Sequence, residues 1–354
     1  MDLDIRRCLS ERPCTLKTCD LSASPYGYVP SQTAPAIFVT IATGCLVANI
    51  ALAAFAKPQQ QHSGSVVPFT LLITIACVLE LVGWTDRFAG ARDPWAVYPY
   101  LQSRSLLTIA PVFITSSIYS TLSSIIHTLG PEHSVLAPHL YAAIFMPLDA
   151  LSLLLQIAGL AVGFRPTPLV LSPTSTLTTS PAGAKIVTAG LVLHLATLTF
   201  AGLLLASVLL RAARSFRRYG YTTFHRTVGY VALPPRFRIL LVAVSSALVV
   251  LFGRLAFRVA EYAEGFAGAL ARDGEGMFVG LDGFLVAYAL VAVVGCHPAV
   301  FLGDGIVGDE RTAAGGRLAP EREMGEAEAG LEELRKVYRV HCEEEERLSR
   351  FERV

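Results

Sequence analysis

Three charged residues at the end of one apolar run carry much of the chemistry in this sequence. Arg254, Arg258 and Glu261 follow ILLVAVSSALVVL without a break, in FGRLAFRVAEYAEG. Their spacing of i, i+4 and i+7 puts all three on one helix face. A guanidinium forks onto a carboxylate or phosphate, and a carboxylate receives an ammonium. Charges beside hydrocarbon are costly and turn toward partners inside a bundle. Glu80, Arg104, Asp149, His194 and Asp282 are further ionisable residues within apolar runs, and Gln102 and Gln156 add amides.

The pattern of absences narrows the chemistry. No CxxC pair and no HxxxH occurs, which speaks against a metal site and a zinc-dependent intramembrane amidase. No GxxxxGK[ST] loop occurs, so ATP hydrolysis by that route is excluded. None of the lysines, Lys17, Lys57, Lys185 and Lys336, lies in the middle of an apolar run, so a retinal Schiff base has no attachment point. No catalytic residues and no cofactor are expected. A net charge of +1 gives no sign of a nucleic-acid partner.

The elements that must position these groups are membrane spans. Of 354 residues, 53% are hydrophobic and 16% charged, well below the roughly 25% charged of soluble domains. Mean hydropathy is +0.52. A span needs roughly 20 mostly apolar residues. Seven stretches qualify, approximately 35–56, 66–84, 98–126, 139–164, 184–210, 236–257 and 277–301. The expected fold is all-α, a seven-transmembrane-helix bundle over 35–303. Residues 1–34 form a tail without a signal-peptide core. Residues 304–354 form a charged tail in which EAEAGLEELRKVYRVHCEEEERLSRF suits a solvated helix.

Orientation follows from Lys and Arg in short connections. RAARSFRR after span five, with Arg226, Arg236 and Arg238, is the densest basic connection. Placing it in the cytosol puts the N-terminus outside and the C-terminus inside, although Arg6, Arg7, Arg12 and Lys17 in the first tail pull the other way. Glu80, Gln102, Arg104, Gln156, His194, Arg254, Arg258, Glu261 and Asp282 then share the outer half of the membrane, with Asp149 deeper. The inference is a polar, partly hydrated cavity open to the outer leaflet. The alternative is scaffolding, since buried ion pairs can lock helices together and helix-end arginines can snorkel.

Lesser features read structurally. Gly159 with Gly163, and Gly276 with Gly280, are GxxxG pairs suited to close helix packing. Pro111 and Pro298 kink or end helices. Cys8, Cys14 and Cys19 crowd the first tail, where one disulfide and free thiols stay equally open.

YGYVPS at 26–31, ELVGWTDR at 80–87, LTIAPVFITSSIYSTLSSII at 107–126, DALSLLLQIAG at 149–159, GLVLHLATLTF at 190–200, GRLAFRVAEYAEG at 253–265, LD at 281–282 and HP at 297–298 occur in one order. In these pieces the chain resembles the fungal RTA-like, or lipid-translocating exporter, family of seven-span proteins. The resemblance implies an integral membrane protein that exports or flips sphingoid long-chain bases or toxic sterol-like amphiphiles, with a porphyrin-related branch. It implies the plasma membrane, with vacuolar or ER membranes as alternatives. His194 stands where the family usually has glutamine, Ser124 replaces a basic or small polar residue, and EGMFVGLD is poorer in aromatics than usual.

The leading expectation is therefore a translocator of lipid-like amphiphiles. Glu80, Glu261 or Asp282 would receive an ammonium, and Arg254 or Arg258 a phosphate. Its partners would be membrane lipids and the substrate, with a cytosolic partner of the C-terminal tail left open. The alternative is a seven-span receptor or stress sensor without transport. The orientation makes a direct prediction. A C-terminal reporter should be protected from external protease in intact cells and an N-terminal one cleaved; the reverse pattern would invert the topology.

Overall fold

The computed structural model describes residues 21, 24–55, 66–164, 180–220, 222–225, 229–231, 235–266, 268–272 and 275–301. The chain divides into Met1–Gly303 and Asp304–Val354. The second unit, with the helix expected there, lies outside the described residues, as do Cys8, Cys14 and Cys19.

Seven helices are long and apolar enough to cross a membrane: α1 (Thr33–Ala54), α2 (Val66–Arg92), α3 (Val97–Leu129), α4 (Pro138–Gly163), α5 (Pro181–Tyr219), α6 (Pro235–Ala263) and α7 (Glu275–Phe301). The protein is an integral, multi-pass membrane protein. Several helices outrun their apolar cores. RAARSFRR is not a loop but the end of α5, closed by Gly220 at φ 80 in the left-handed conformation that glycine adopts freely. Arg258 and Glu261 likewise sit inside α6 rather than beyond a span. An unanticipated antiparallel hairpin, β1 (Thr223–His225) with β2 (Gly229–Val231), follows α5.

Each helix packs on its successor, and α7 closes the ring against α1. α3 also touches α5, α6 and α7. Of its apolar window 78% is buried, against 22–50% for the others, so α3 is the inner wall. Val47, Leu154, Leu203 and Val249 point outward, as expected where hydrocarbon is the solvent.

Small residues set the closest approaches. A Cβ on Gly159 would stand 2.5 Å from the Val187 backbone nitrogen, and one on Gly183 would strike the Gly163 backbone. These glycines make the α4–α5 seam, as the GxxxG spacing predicts. Gly276 and Gly280 do not behave that way, since a Cβ on either meets nothing within 4 Å. The close contact of α7 is made instead by Gly283, against the rings of Phe38 and Trp84.

α7 itself is broken. A π-helical turn, Val279–Phe284, separates the α-helical turn Glu275–Phe278 from Leu285–Gly295, and Cys296–His297 interrupt the helix before Pro298–Phe301. A π-turn rotates the side chains it carries relative to a regular helix, and Asp282 is one of them.

The seam yields a test. Gly159→Val is expected to lower stability by about 1–3 kcal/mol through overpacking. Gly202→Ala, where a Cβ meets nothing within 4 Å, is expected to stay within about 0.5 kcal/mol of the parent. Thermal unfolding in detergent compares the two; equal shifts would contradict the seam.

Candidate functional site

Six of the ten polar residues expected to act together meet in one buried cluster, drawn from α2, α3, α6 and α7. Asp282 is its hub. Its Oδ1 accepts from Arg254 Nε at 2.6 Å and from Arg258 Nε at 2.8 Å, and its Oδ2 from Arg258 Nη2 at 2.7 Å. Glu261 accepts from Arg258 Nη1 at 2.8 Å and, through its other oxygen, from Arg104 Nη2 at 2.7 Å. None of these side chains is more than 7% exposed. Short charge-assisted bonds of this kind are the strong ones, and here water does not compete.

Arg254 owes its placement to a proline. Pro111 lies inside α3 and has no N–H, so the carbonyl of Leu107, four residues back, loses its helical donor. Arg254 Nη2 donates to that carbonyl at 2.6 Å. The proline thus creates an acceptor inside the bundle, and α6 uses it.

Glu80, on α2, has its Oε2 bonded by the Trp84 indole at 2.9 Å. Asp282, Arg254 and Arg258 lie within electrostatic reach. Three guanidiniums face two shared carboxylates, and Glu80 is a third acid in the cluster, bonded to Trp84 and not paired with an arginine. Its Oε1 has no hydrogen-bond partner, nor has Arg254 Nη1. Arg104 Nε is likewise unpartnered, so one acceptor and two donors, all buried, are free within the same cluster.

Aromatic rings close one end. Phe278 lies between two cations, with Arg87 Cζ at 4.2 Å and Arg258 Cζ at 4.9 Å from its centroid. Arg87 Nη2 donates to Tyr28 Oη at 2.6 Å and stands 3.6 Å from Glu275, whose oxygens accept the Ser31 N–H at 2.9 and 2.8 Å. Tyr26 packs edge-on to Tyr100 at 4.8 Å, and burial raises its phenol pKa. The segment before α1 is thus a strap over this end of the bundle.

The remaining four residues do not join the cluster. Asp149 and His194 form a second site, deeper along α3. Thr115, their connector, lies about 16 Å beyond Arg104 at 1.5 Å per residue. His194 therefore belongs with Asp149 and not with the arginines. Gln156 donates to Ser152 Oγ at 2.9 Å, and Ser152 to the Gly190 carbonyl at 2.8 Å, within the α4–α5 seam. Gln102 is half-buried in a groove of about 470 Å³ between α3 and α4, with Tyr98, Ser105, Ile109 and Phe164. One side chain bonded to the α3 wall reaches a groove. Tyr262, within 3.0 Å of Thr108 Oγ1, lines a space of about 370 Å³ with Lys185, Thr188 and Glu264.

Trp84, Arg87, Phe278, Thr115 and Thr197 were not anticipated as parts of these sites. Hydroxyls and aromatics are ordinary in spans, so only the partners reveal them. Among the described residues no group of His, Cys, Asp and Glu is arranged to hold a metal.

A family model described as RTA1 like protein matches residues 73–304. The chain belongs to that family. This RTA1-like chain is 27% identical over 252 residues to a protein of Saccharomyces cerevisiae named sphingoid long-chain base transporter RSB1, covering 65% of this chain and 64% of that one. It is 21% identical over 220 residues to Protein RTM1 of Saccharomyces cerevisiae, covering 62% and 64%. The aligned part thus spans just under two thirds of these relatives. No solved structure matches this RTA1-like chain.

The hub generates a stability prediction. Asp282→Asn leaves two buried guanidiniums without their shared counter-charge and is expected to cost about 3–5 kcal/mol. Glu80→Gln keeps an acceptor for Trp84 and is expected to cost about 1 kcal/mol. Unfolding in detergent measures both; an Asp282→Asn protein as stable as the parent would contradict the hub.

Proposed function

We propose that this protein translocates single-chain amphiphiles with a cationic head, of the sphingoid-base type, across or out of its membrane. The observation that carries this reading is that Glu80 Oε1 and Arg254 Nη1, two of the three free polar atoms in the ion cluster, are an acceptor and a donor without partners. An amino alcohol supplies what they lack: an ammonium to donate to Glu80 and a hydroxyl to accept from Arg254. The relative named as a sphingoid long-chain base transporter supports the same substrate class.

The chemistry of such a ligand suits this protein. A long-chain base has a head that is costly in hydrocarbon and a tail that is costly in water. The cluster serves the head, while outward apolar side chains leave the tail in lipid. The opening lined by Tyr262, Lys185 and Glu264 is the proposed approach, because Tyr262 joins it to the α3 wall beside Arg104. In the orientation with the N-terminus outside, that approach faces the outer leaflet. The plasma membrane is the proposed location. The chain performs no covalent chemistry in this reading.

Export of labelled sphingoid base tests it, in cells lacking this protein and in the same cells expressing it. Expression is expected to raise efflux. Glu80→Gln is expected to lower the added efflux about tenfold or more, the loss of one charge-assisted bond. Gly202→Ala should leave it unchanged. Equal efflux with and without the protein would remove the proposal.

A further inference from the structure

A second polar site lies apart from the ion cluster and has no cation to balance it. Asp149 is fully buried on α4. Its Oδ2 accepts from Thr115 Oγ1 at 2.7 Å and from Ser116 Oγ at 3.5 Å, and its Oδ1 from Thr197 Oγ1 at 3.0 Å. His194 Nε2 is 3.0 Å from the same Thr115 oxygen and 3.7 Å from Oδ2. His194 Nδ1 has no partner. Among the described residues no lysine or arginine comes within ion-pair distance of this carboxylate. The groups facing it are Tyr119 with the hydroxyls of α3, and His194 with Thr197 of α5; Arg254 of α6 is the charged group within electrostatic reach of His194.

We propose that Asp149, Thr115 and His194 form an intramembrane proton-binding site, and that the proton it exchanges is the coupling ion for the movement proposed above. The second clause rests on the translocator reading; the first does not.

The geometry allows one proton to be held at either end. With the proton on Asp149, Oδ2–H donates to Thr115 Oγ1, whose own hydrogen points to His194 Nε2. With the proton on His194, Nε2–H donates to Thr115 Oγ1, whose hydrogen returns to Oδ2. Passage breaks the O–H bonds at Asp149 and Thr115 and forms one O–H at Thr115 and one N–H at His194. No electrons are gained or lost. A lone buried carboxylate is disfavoured, and hydroxyl donors offset only part of that cost. A proton on the pair removes the unbalanced charge. α3 links the two sites, since Arg254 of the ion cluster is bonded to its Leu107 carbonyl and Thr115, about two turns further on, serves Asp149. A head that draws Arg254 off the Leu107 carbonyl disturbs the same α3 wall that carries Thr115, so ligand and proton bias each other.

The test uses the full chain in lipid vesicles. Infrared spectra titrated with pH should show a protonated-carboxyl band that Asp149→Asn removes. Thr115→Val, which spares both titrating groups, should slow its exchange. With labelled sphingosine and no membrane potential, a gradient of one pH unit should drive up to about tenfold accumulation at one proton per substrate, and His194→Gln should abolish accumulation while downhill movement continues. Should Asp149→Asn fail to fold, Thr115→Val and His194→Gln decide. Absence of an Asp149 band, or wild-type movement indifferent to the gradient, would overturn the proposal. Absence of any sphingosine movement would instead overturn the translocator reading, and the infrared arm would still decide the proton site.

Discussion

The bundle depends on the fork between Arg258, Arg254 and Asp282. A guanidinium inside a membrane protein has nowhere to turn but to a partner, and here two of them share one carboxylate. That sharing fixes much else. α7 must carry Asp282 at the level of both arginines, which the π-turn Val279–Phe284 does by rotating one turn of helix. It must also come close to α1 and α2, which Gly283 allows by leaving room for Phe38 and Trp84. Trp84 in turn holds Glu80. One acid thus governs the register of four helices.

α3 links the sites because it is the inner wall. Arg104 and Thr108 face the ion cluster at one level, Leu107 offers it a carbonyl freed by Pro111, and Thr115 serves the Asp149 site further along. A helix shared in this way is a mechanical and electrostatic connection. A shift that breaks the Arg254–Leu107 bond moves a charge relative to His194. The strap built on Tyr26, Tyr28 and Ser31 closes one end through Arg87 and Glu275, and Phe278 lies between that strap and Arg258. The strap and the hub thus share one aromatic contact, Phe278.

Much of this was legible in the sequence. Seven apolar stretches of sufficient length gave seven spans, and the i, i+4, i+7 spacing of Arg254, Arg258 and Glu261 placed them on one face directed at acids. Depth was less legible, because a linear position within a span does not say which neighbour a side chain meets. His194 was expected beside the arginines and lies beside Asp149; Gln102 was expected inside and faces a groove. GxxxG spacing identified Gly159 with Gly163 but failed at Gly276 and Gly280, where the π-turn changes the face presented. Pro111 read as a kink, while its consequence, a freed carbonyl at Leu107, appears only once Arg254 is placed.

The central claim is that a cationic head enters the ion cluster between Glu80 and Arg254. Photo-crosslinking tests it most directly, with a sphingoid base carrying a photoreactive group near its amine, the full chain in native membranes, and mapping of the labelled peptides. Adducts are expected on α2 around Glu80 and on α6–α7 around Arg254 and Asp282, displaced by excess unlabelled base. Adducts confined to the outward faces of the helices, with peptides containing Glu80 and Asp282 unlabelled, would contradict it.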